Sequence, residues 1–222
     1  MIKGSRMMMK RGGGWQNPYV TDGLVAMWDG EWNAGGGVHD SEATTWKDLI
    51  GSNDLTIYGN VLSNCISNIG LYGNAAGASF KIDGISTIEA CHEYQGGSIT
   101  YGIIANTGEV SSSRIGLVHY GGANAFQTYS NIFWSYPEIG NQHAITLCGT
   151  TAGCYVNGNE LQPVTHSADP WNNGSVTIIG GRMNGSYRLL ANYFCVRFYS
   201  RDLTAAEIAA NYAIDKARFN LP

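Results

Sequence analysis

Glu89 and Glu93 are the two carboxylates of this chain that come nearest to a catalytic pair carried on one strand. Two carboxyl groups are the minimum for acid–base cleavage of a glycosidic bond, about 5–5.5 Å apart when one of them is the nucleophile. Four residues apart on a strand, the two would share a face at a separation of ~13 Å, too far for that chemistry. His92-Glu93 lacks a second histidine one helical turn on, so a zinc H-E-x-x-H site is absent. No G-x-S-x-G nucleophile elbow is present. Gly35-Gly36-Gly37 lacks the Lys-Ser/Thr of a phosphate loop and reads as a flexible or tightly turned segment. The expectation is a non-catalytic protein, with a glycoside hydrolase carried as a minor alternative.

Three clusters suit binding. Loop 29–43 offers Asp29, Glu31, Asn33, Asp40 and Glu42 as oxygen donors, and Ca²⁺ takes several such ligands together. The spacing is not an EF-hand, so Asp29, Glu31 and Asp40 are weak Ca²⁺ candidates beside the plainer reading of a solvated acidic loop. No cofactor is otherwise expected. Residues 129–138 bring Tyr129, Asn131, Trp134 and Tyr136 together, with Glu138 beside them. Aromatic faces stack on sugar C–H faces while amides and carboxylates fix hydroxyls. Trp32 and Trp171 extend this candidate glycan-binding set, and the competing reading is that each tryptophan covers an edge of the core. Lys3, Arg6, Lys10 and Arg11 form a basic arm with no acid among the first eleven residues. The arm suits an acidic surface on another protein, or is simply a tail.

These groups need a scaffold. With 14% charged residues and 30 glycines in 222, the chain is poor in the residues of long helices and rich in those of turns. Its net charge of −4 gives no general field for nucleic acid. The five cysteines are odd in number and form no C-x-x-C pair. Cys148 and Cys154 could face each other across a hairpin, but small buried thiols fit better and suit synthesis in a reducing place. Met7-Met8-Met9 is too short for the core of a secretory signal, and no apolar run reaches the ~18 residues of a membrane span.

Residues 1–17 read as a flexible basic, glycine-rich arm and 18–222 as one domain. Leu24–Trp28 and Leu55–Tyr58 predict strands. Further short strands are predicted over 78–82, 86–91, 98–104, 114–119, 125–129 and 131–134. Ile88 and Ala90 should face one side, Thr87 and Glu89 the other. Asn157-Gly158 predicts a two-residue hairpin turn. At the end, Phe194, Val196 and Phe198 alternate with Tyr193, Cys195, Arg197 and Tyr199, which predicts a strand. Thr204 and Glu207 have the spacing of a capping box, with Leu203 and Ile208 at the staple positions. Ile208, Tyr212 and Phe219 share a helical face. The polar groups of this ending are expected to cap the helix and face solvent.

The ending R-F-Y-S-R-D-L-T-A-A-E-I (197–208) resembles the last strand and closing helix of laminin-G-like, concanavalin-A-like jelly rolls. So do the opening D-G-L-V-A-M-W-D and T-W-K-D-L-I-G, the strand Ile85–Cys91, the turn Y-V-N-G (155–158) and Ser175–Arg182. The resemblance covers residues 19–219. The family's Trp-His pair is half matched by Gln142-His143. Relatives of this family include β-glucanases, whose E-x-D-x-x-E or E-x-D-x-E strand is missing here. The wording of 19–40 is similar to a subgroup frequent in gut bacteria and their phages.

The resemblance implies an all-β, two-sheet antiparallel jelly-roll sandwich with a short C-terminal helix. The function expected is a binding or adhesion module on a phage-type virion surface, as a fibre or decoration protein, with a host glycan as ligand. The alternatives are a bacterial lectin-like cell-surface protein and a purely structural subunit-interaction module. Expected partners are other virion or surface proteins through the arm, a glycan, and further copies of the chain, with no nucleic acid and no membrane.

Overall fold

The computed structural model describes residues 15–57, 59–68, 82, 84–95, 102–107, 115–120, 125–128, 132–135, 144–151, 153–165, 177–179 and 190–222. The arm residues Lys3, Arg6, Lys10 and Arg11, all but the last residue of the strand expected over 78–82, and Tyr129, Asn131, Tyr136, Gln142-His143 and Trp171 lie outside the described residues. In chain order the strands are β1 (Leu24–Asp29), β2 (Thr45–Trp46), β3 (Leu55–Thr56), β4 (Asn60–Val61), β5 (Ile66–Asn68), β6 (Thr87–Tyr94), β7 (Gly102–Thr107), β8 (Ile115–Tyr120), β9 (Ala125–Thr128), β10 (Ile132–Ser135), β11 (Ala144–Gly149), β12 (Cys154–Val156), β13 (Asn159–Glu160), β14 (Pro163–Thr165), β15 (Thr177–Ile179) and β16 (Ala191–Tyr199). The helix α1 (Ala205–Phe219) closes the chain.

A large antiparallel sheet runs β13-β12-β11-β6-β16-β5-β4, with β1 sharing an edge of β16 with β5. The small sheet runs β14-β10-β9-β8-β7-β15. Between them lies the main core, in which Ala26, Trp28, Ile88, Ala90, Leu147, Val196 and Phe198 of the large sheet meet Leu117 of the small one. Period-two alternation explains the choice of residues: Ile88 and Ala90 point inward and Thr87 and Glu89 outward, as expected. Asn157 (φ 52°) and Gly158 (φ 77°) both turn through the left-handed region, the geometry a two-residue hairpin requires between β12 and β13.

The outer face of the large sheet is the departure from a simple two-layer sandwich. It is covered by α1, by the segment 15–20 and by the start of loop 29–43, making a second buried cluster with Tyr19, Met27, Cys91, Cys195, Tyr199, Ile208 and Phe219. β16 is therefore buried on both faces. Its register shifts at Phe194, which bulges so that Phe194 and Cys195 both face this outer cluster while Tyr193, Val196 and Phe198 face the main core. Phe194 thus does not share a face with Val196, because one extra residue inverts the alternation. All five cysteines are buried free thiols, and Cys148 and Cys154 lie in opposite clusters.

The capping box on α1 is complete. Thr204 Oγ1 accepts from Glu207 N–H, and Glu207 returns the bond to Thr204 N–H at 2.8 Å. Arg201 holds Glu207 from the other side at 2.6 Å, and that hydrogen bond pulls the Glu207 carboxyl down to about 2. Thr204→Ala is expected to cost about 1 kcal/mol, read as a small fall in the urea midpoint with no change in slope. The buried stripe of α1 is Ile208, Asn211, Asp215 and Phe219, with Tyr212 only half-buried. Two polar residues therefore occupy the face turned to the sheet. Helical spacing alone ranks Tyr212 above them, since it sees hydropathy and not what waits opposite.

Candidate functional site

What waits opposite is Arg197. Glu89 on β6 and Arg197 on β16 are direct cross-strand partners under α1, and both side chains are fully buried. Arg197 donates Nη1 and Nη2 to the two oxygens of Asp215 at 2.8 and 2.6 Å, and Nε to Glu89 Oε2 at 2.9 Å. Asn211 Nδ2 donates to the same Glu89 oxygen at 2.7 Å and to the Tyr199 hydroxyl at 2.9 Å. Asp215 also accepts from Thr146 Oγ1 at 2.8 Å and from the Tyr19 hydroxyl at 2.7 Å. The Tyr19 ring lies 4.0 Å from the Arg197 guanidinium. The expectation that the polar groups of the ending face solvent is therefore corrected. Arg197, Asn211 and Asp215 form a sealed network, because a buried charge persists only when paired and hydrogen-bonded.

A second centre adjoins the first. Arg218, in the last turn of α1, donates to both oxygens of Asp29 at 2.7 and 3.0 Å, to Glu31 at 3.0 Å and to the Tyr19 hydroxyl at 2.7 Å. Tyr19 thus bridges the two centres, donating to Asp215 and accepting from Arg218. The Arg218 guanidinium lies 3.9 Å from the Trp32 ring, and Trp15 meets that ring edge-on at 5.6 Å.

Several sequence candidates are re-read by this placement. Asp29 and Glu31 are weak Ca²⁺ candidates no longer: Asp29 is fully buried with both oxygens held by Arg218, and Glu31 leans on the same cation. Asp40 stays on the exposed loop, apart from them, its Oδ1 accepting from Glu42 N–H at 2.9 Å. Among the described residues no three His, Cys, Asp or Glu side chains are grouped to hold a metal. Trp32 is not an open platform for a sugar, since it is 9% exposed with Arg218 and Trp15 against it. Trp134 lies in β10, paired with Phe126. Glu93 accepts from Gln95 and Asn192 at 2.6 and 3.0 Å and does not join Glu89. His92 is buried and stacked on Tyr193, its centroid 6.2 Å away.

Loop 29–43 is tightly turned. Asn33 clasps it twice, donating Nδ2 to the Asp40 carbonyl at 2.8 Å and accepting from Asp40 N–H at 3.0 Å. Three successive glycines, 35 to 37, take φ of 89°, 58° and 80° inside that clasp, a path side-chain-bearing residues avoid. The tip beyond them is exposed from Val38 to Glu42, with Val38 56% exposed.

Burial pushes the Glu89 carboxyl above its ordinary range, with Arg197 and Asn211 pulling the other way. Its Oε1 has no hydrogen-bond partner. A carboxyl raised on folding contributes stability that is full below about pH 4.3, the unfolded value, and is lost as pH rises through the folded value. Glu89→Gln mimics the protonated form. It is expected to flatten the fall in stability with rising pH that this carboxyl implies for the native chain above about pH 4.3, and to match or exceed native stability near pH 8 in urea titrations at each pH. Asp29, raised by the same burial, keeps its own slope in that variant.

Residues 107–209 match the family model described as the concanavalin A-like lectin/glucanases superfamily. Among solved structures, the chain is similar to the sialidase of Trypanosoma rangeli in complex with the inhibitor DANA, with a TM-score of 0.60 and 17% identity over 87% of this chain and 33% of the sialidase. A mutant of that sialidase displaying trans-sialidase activity gives a TM-score of 0.56 at 14% identity. The chain spans about a third of the length of these enzymes. The CBM40 of the Ruminococcus gnavus IT-sialidase gives a TM-score of 0.44 at 10% identity over 66% of this chain and 96% of the CBM40. At such identities the likeness to the two sialidases is one of fold. No curated protein sequence matches the chain. No helix among the described residues is long and apolar enough to cross a membrane.

Proposed function

We propose that this concanavalin-A-like jelly roll is a non-catalytic carbohydrate-binding module. The observation that carries the reading is the fate of three buried acids among the described residues. Asp29, Glu89 and Asp215 are each held by Arg197 or Arg218 beneath α1, so none is free to attack or protonate a substrate. What the sequence offers to a ligand is a run of aromatic and amide residues. The aromatic and amide set Tyr129, Asn131, Trp134 and Tyr136, with Trp171, supplies the stacking faces and hydrogen-bonding groups that a glycan needs.

The setting we propose is a virion surface, as a fibre or decoration protein of a phage, with the basic arm holding the particle and the jelly roll facing outward. The arm supports this through its four cations and absence of acids, a composition suited to an acidic protein surface. A bacterial cell surface is the alternative setting. A glycan array probed with multivalent protein tests the first part: bound glycans are expected, with binding lost in Trp134→Ala and Tyr136→Ala while the unfolding midpoint holds. An empty array sinks it in favour of a subunit-interaction module. Mass spectrometry of purified virions tests the second, and absence of the chain from them defeats it.

A further inference from the structure

The bulge in β16 sets two thiols opposite each other. Tyr193 is the register partner of His92, so unbroken alternation would put Phe194 opposite Cys91 and Cys195 opposite Ala90, in the main core. The extra residue instead makes Cys195 the partner of Cys91, with both side chains in the outer cluster beneath α1. Directly opposed residues on antiparallel strands have Cα atoms about 4.5–5.5 Å apart, and a disulfide spans about 4.4–6.8 Å. Among the described residues no other two cysteines are register partners. Cys148 stands opposite Glu89, a diagonal of about 7–8 Å from Cys91. Cys154 faces the main core, and Cys65 precedes β5, against the backbone at Gly30.

We propose that Cys91 and Cys195 join in a cross-strand disulfide when the chain folds in an oxidising place, with a small disulfide such as oxidised glutathione as the oxidant, and that α1 then seals the bond. One cysteine thiolate attacks oxidised glutathione, breaks its S–S bond and releases one reduced glutathione. The other cysteine attacks the mixed disulfide and releases the second. The two protein thiols are oxidised, the glutathione disulfide is reduced, and the two thiol protons pass to the departing glutathione thiolates. The folded domain is closed to this step. Both thiols are 0% exposed, and burial pushes each well above its ordinary range, so neither is the thiolate that attacks. Arg197 Nη1 donates to Cys195 Sγ at 3.4 Å, which places the pair directly under the Arg197–Asp215 contact. The bond would tie β6 to β16 across roughly 100 residues of chain, a constraint on the unfolded state that grows with loop length. It needs no ligand and stands apart from the carbohydrate reading.

Refolding of the full purified chain tests it. Chain reduced and unfolded in urea is refolded in a mixture of oxidised and reduced glutathione, alkylated, and mapped by mass spectrometry without reduction. The expected product links Cys91 to Cys195 and leaves Cys65, Cys148 and Cys154 alkylated. Its urea midpoint is expected above that of the same chain refolded in dithiothreitol, and Cys91→Ala is expected to lose that difference. Native dithiol chain placed in the same glutathione mixture is expected to close about tenfold more slowly or less, since α1 must first lift. Five alkylated cysteines after oxidative refolding, a dominant link through Cys65, Cys148 or Cys154, or an oxidised midpoint at or below the reduced one would each overturn the disulfide. Closure in the native chain as fast as during refolding would overturn the seal.

Discussion

Asp215→Ala is expected to cost about 3–5 kcal/mol, the range for removing one partner of a buried ion pair. The side chain lost is the acceptor for both terminal nitrogens of Arg197, for Thr146 and for Tyr19. What remains is a guanidinium with only Glu89 to answer it, in a place no water reaches from outside. Because α1 covers this face of the large sheet, the loss should appear as undocking of the helix as well as a lower urea midpoint. Hydrogen exchange is then expected to quicken across 205–219 and along β16. A double-mutant cycle makes the cause explicit. Arg197→Met should cost several kcal/mol alone but much less in the Asp215→Ala background, since the charge it removes is already unpaired there. Equal costs in both backgrounds would mean that packing, not pairing, holds the helix.

Arg218→Ala is the companion case, expected to cost about 3 kcal/mol or more because Asp29 is left buried without its cation. The consequence falls elsewhere in the chain. Arg218 reaches from the end of α1 to Asp29, Glu31, Trp32 and Tyr19, so its removal should loosen residues 15–20 and 29–34 while leaving the capping box untouched. Exchange measured at those segments, with the N-terminus of α1 as internal reference, checks it. Uniform quickening throughout the domain would refute a local role. Arg218→Lys is expected to recover little, since one ammonium cannot meet both oxygens of Asp29 and stack on Trp32 together.

Much of the fold was legible in the chain. Alternation placed β6, the turn at Asn157-Gly158 dictated its own hairpin, and Thr204 with Glu207 marked the start of α1 to the residue. These signals are local, and neighbours in sequence suffice to produce them. The boundaries of β6 and β7 were less well drawn, since strand ends depend on which partner continues beside them. Phe194 shows the limit clearly: a bulge is a mismatch between two strands, and neither strand contains it alone.

The site was hardly legible at all. Arg197 reads as an outward polar residue by alternation, and outward it does point, but outward of the large sheet is the underside of α1. Asn211 and Asp215 occupy the same helical stripe as Ile208 and Phe219, and a polar pair on an apolar stripe was the one clue that something charged lay across from it. Asp29 and Arg218 are 189 positions apart, so no spacing rule joins them. Sequence by itself determined the capped ending and the hairpin at Asn157-Gly158, because each follows from local pattern, while the jelly-roll class followed from the resemblance of several motifs in order to a known family. Only the tertiary structure decided which charges are interior. Burial of a charge depends on long-range pairing, and it was this that turned the start of an acidic loop and a solvent-facing helix end into one ionic seam between α1 and the sheet.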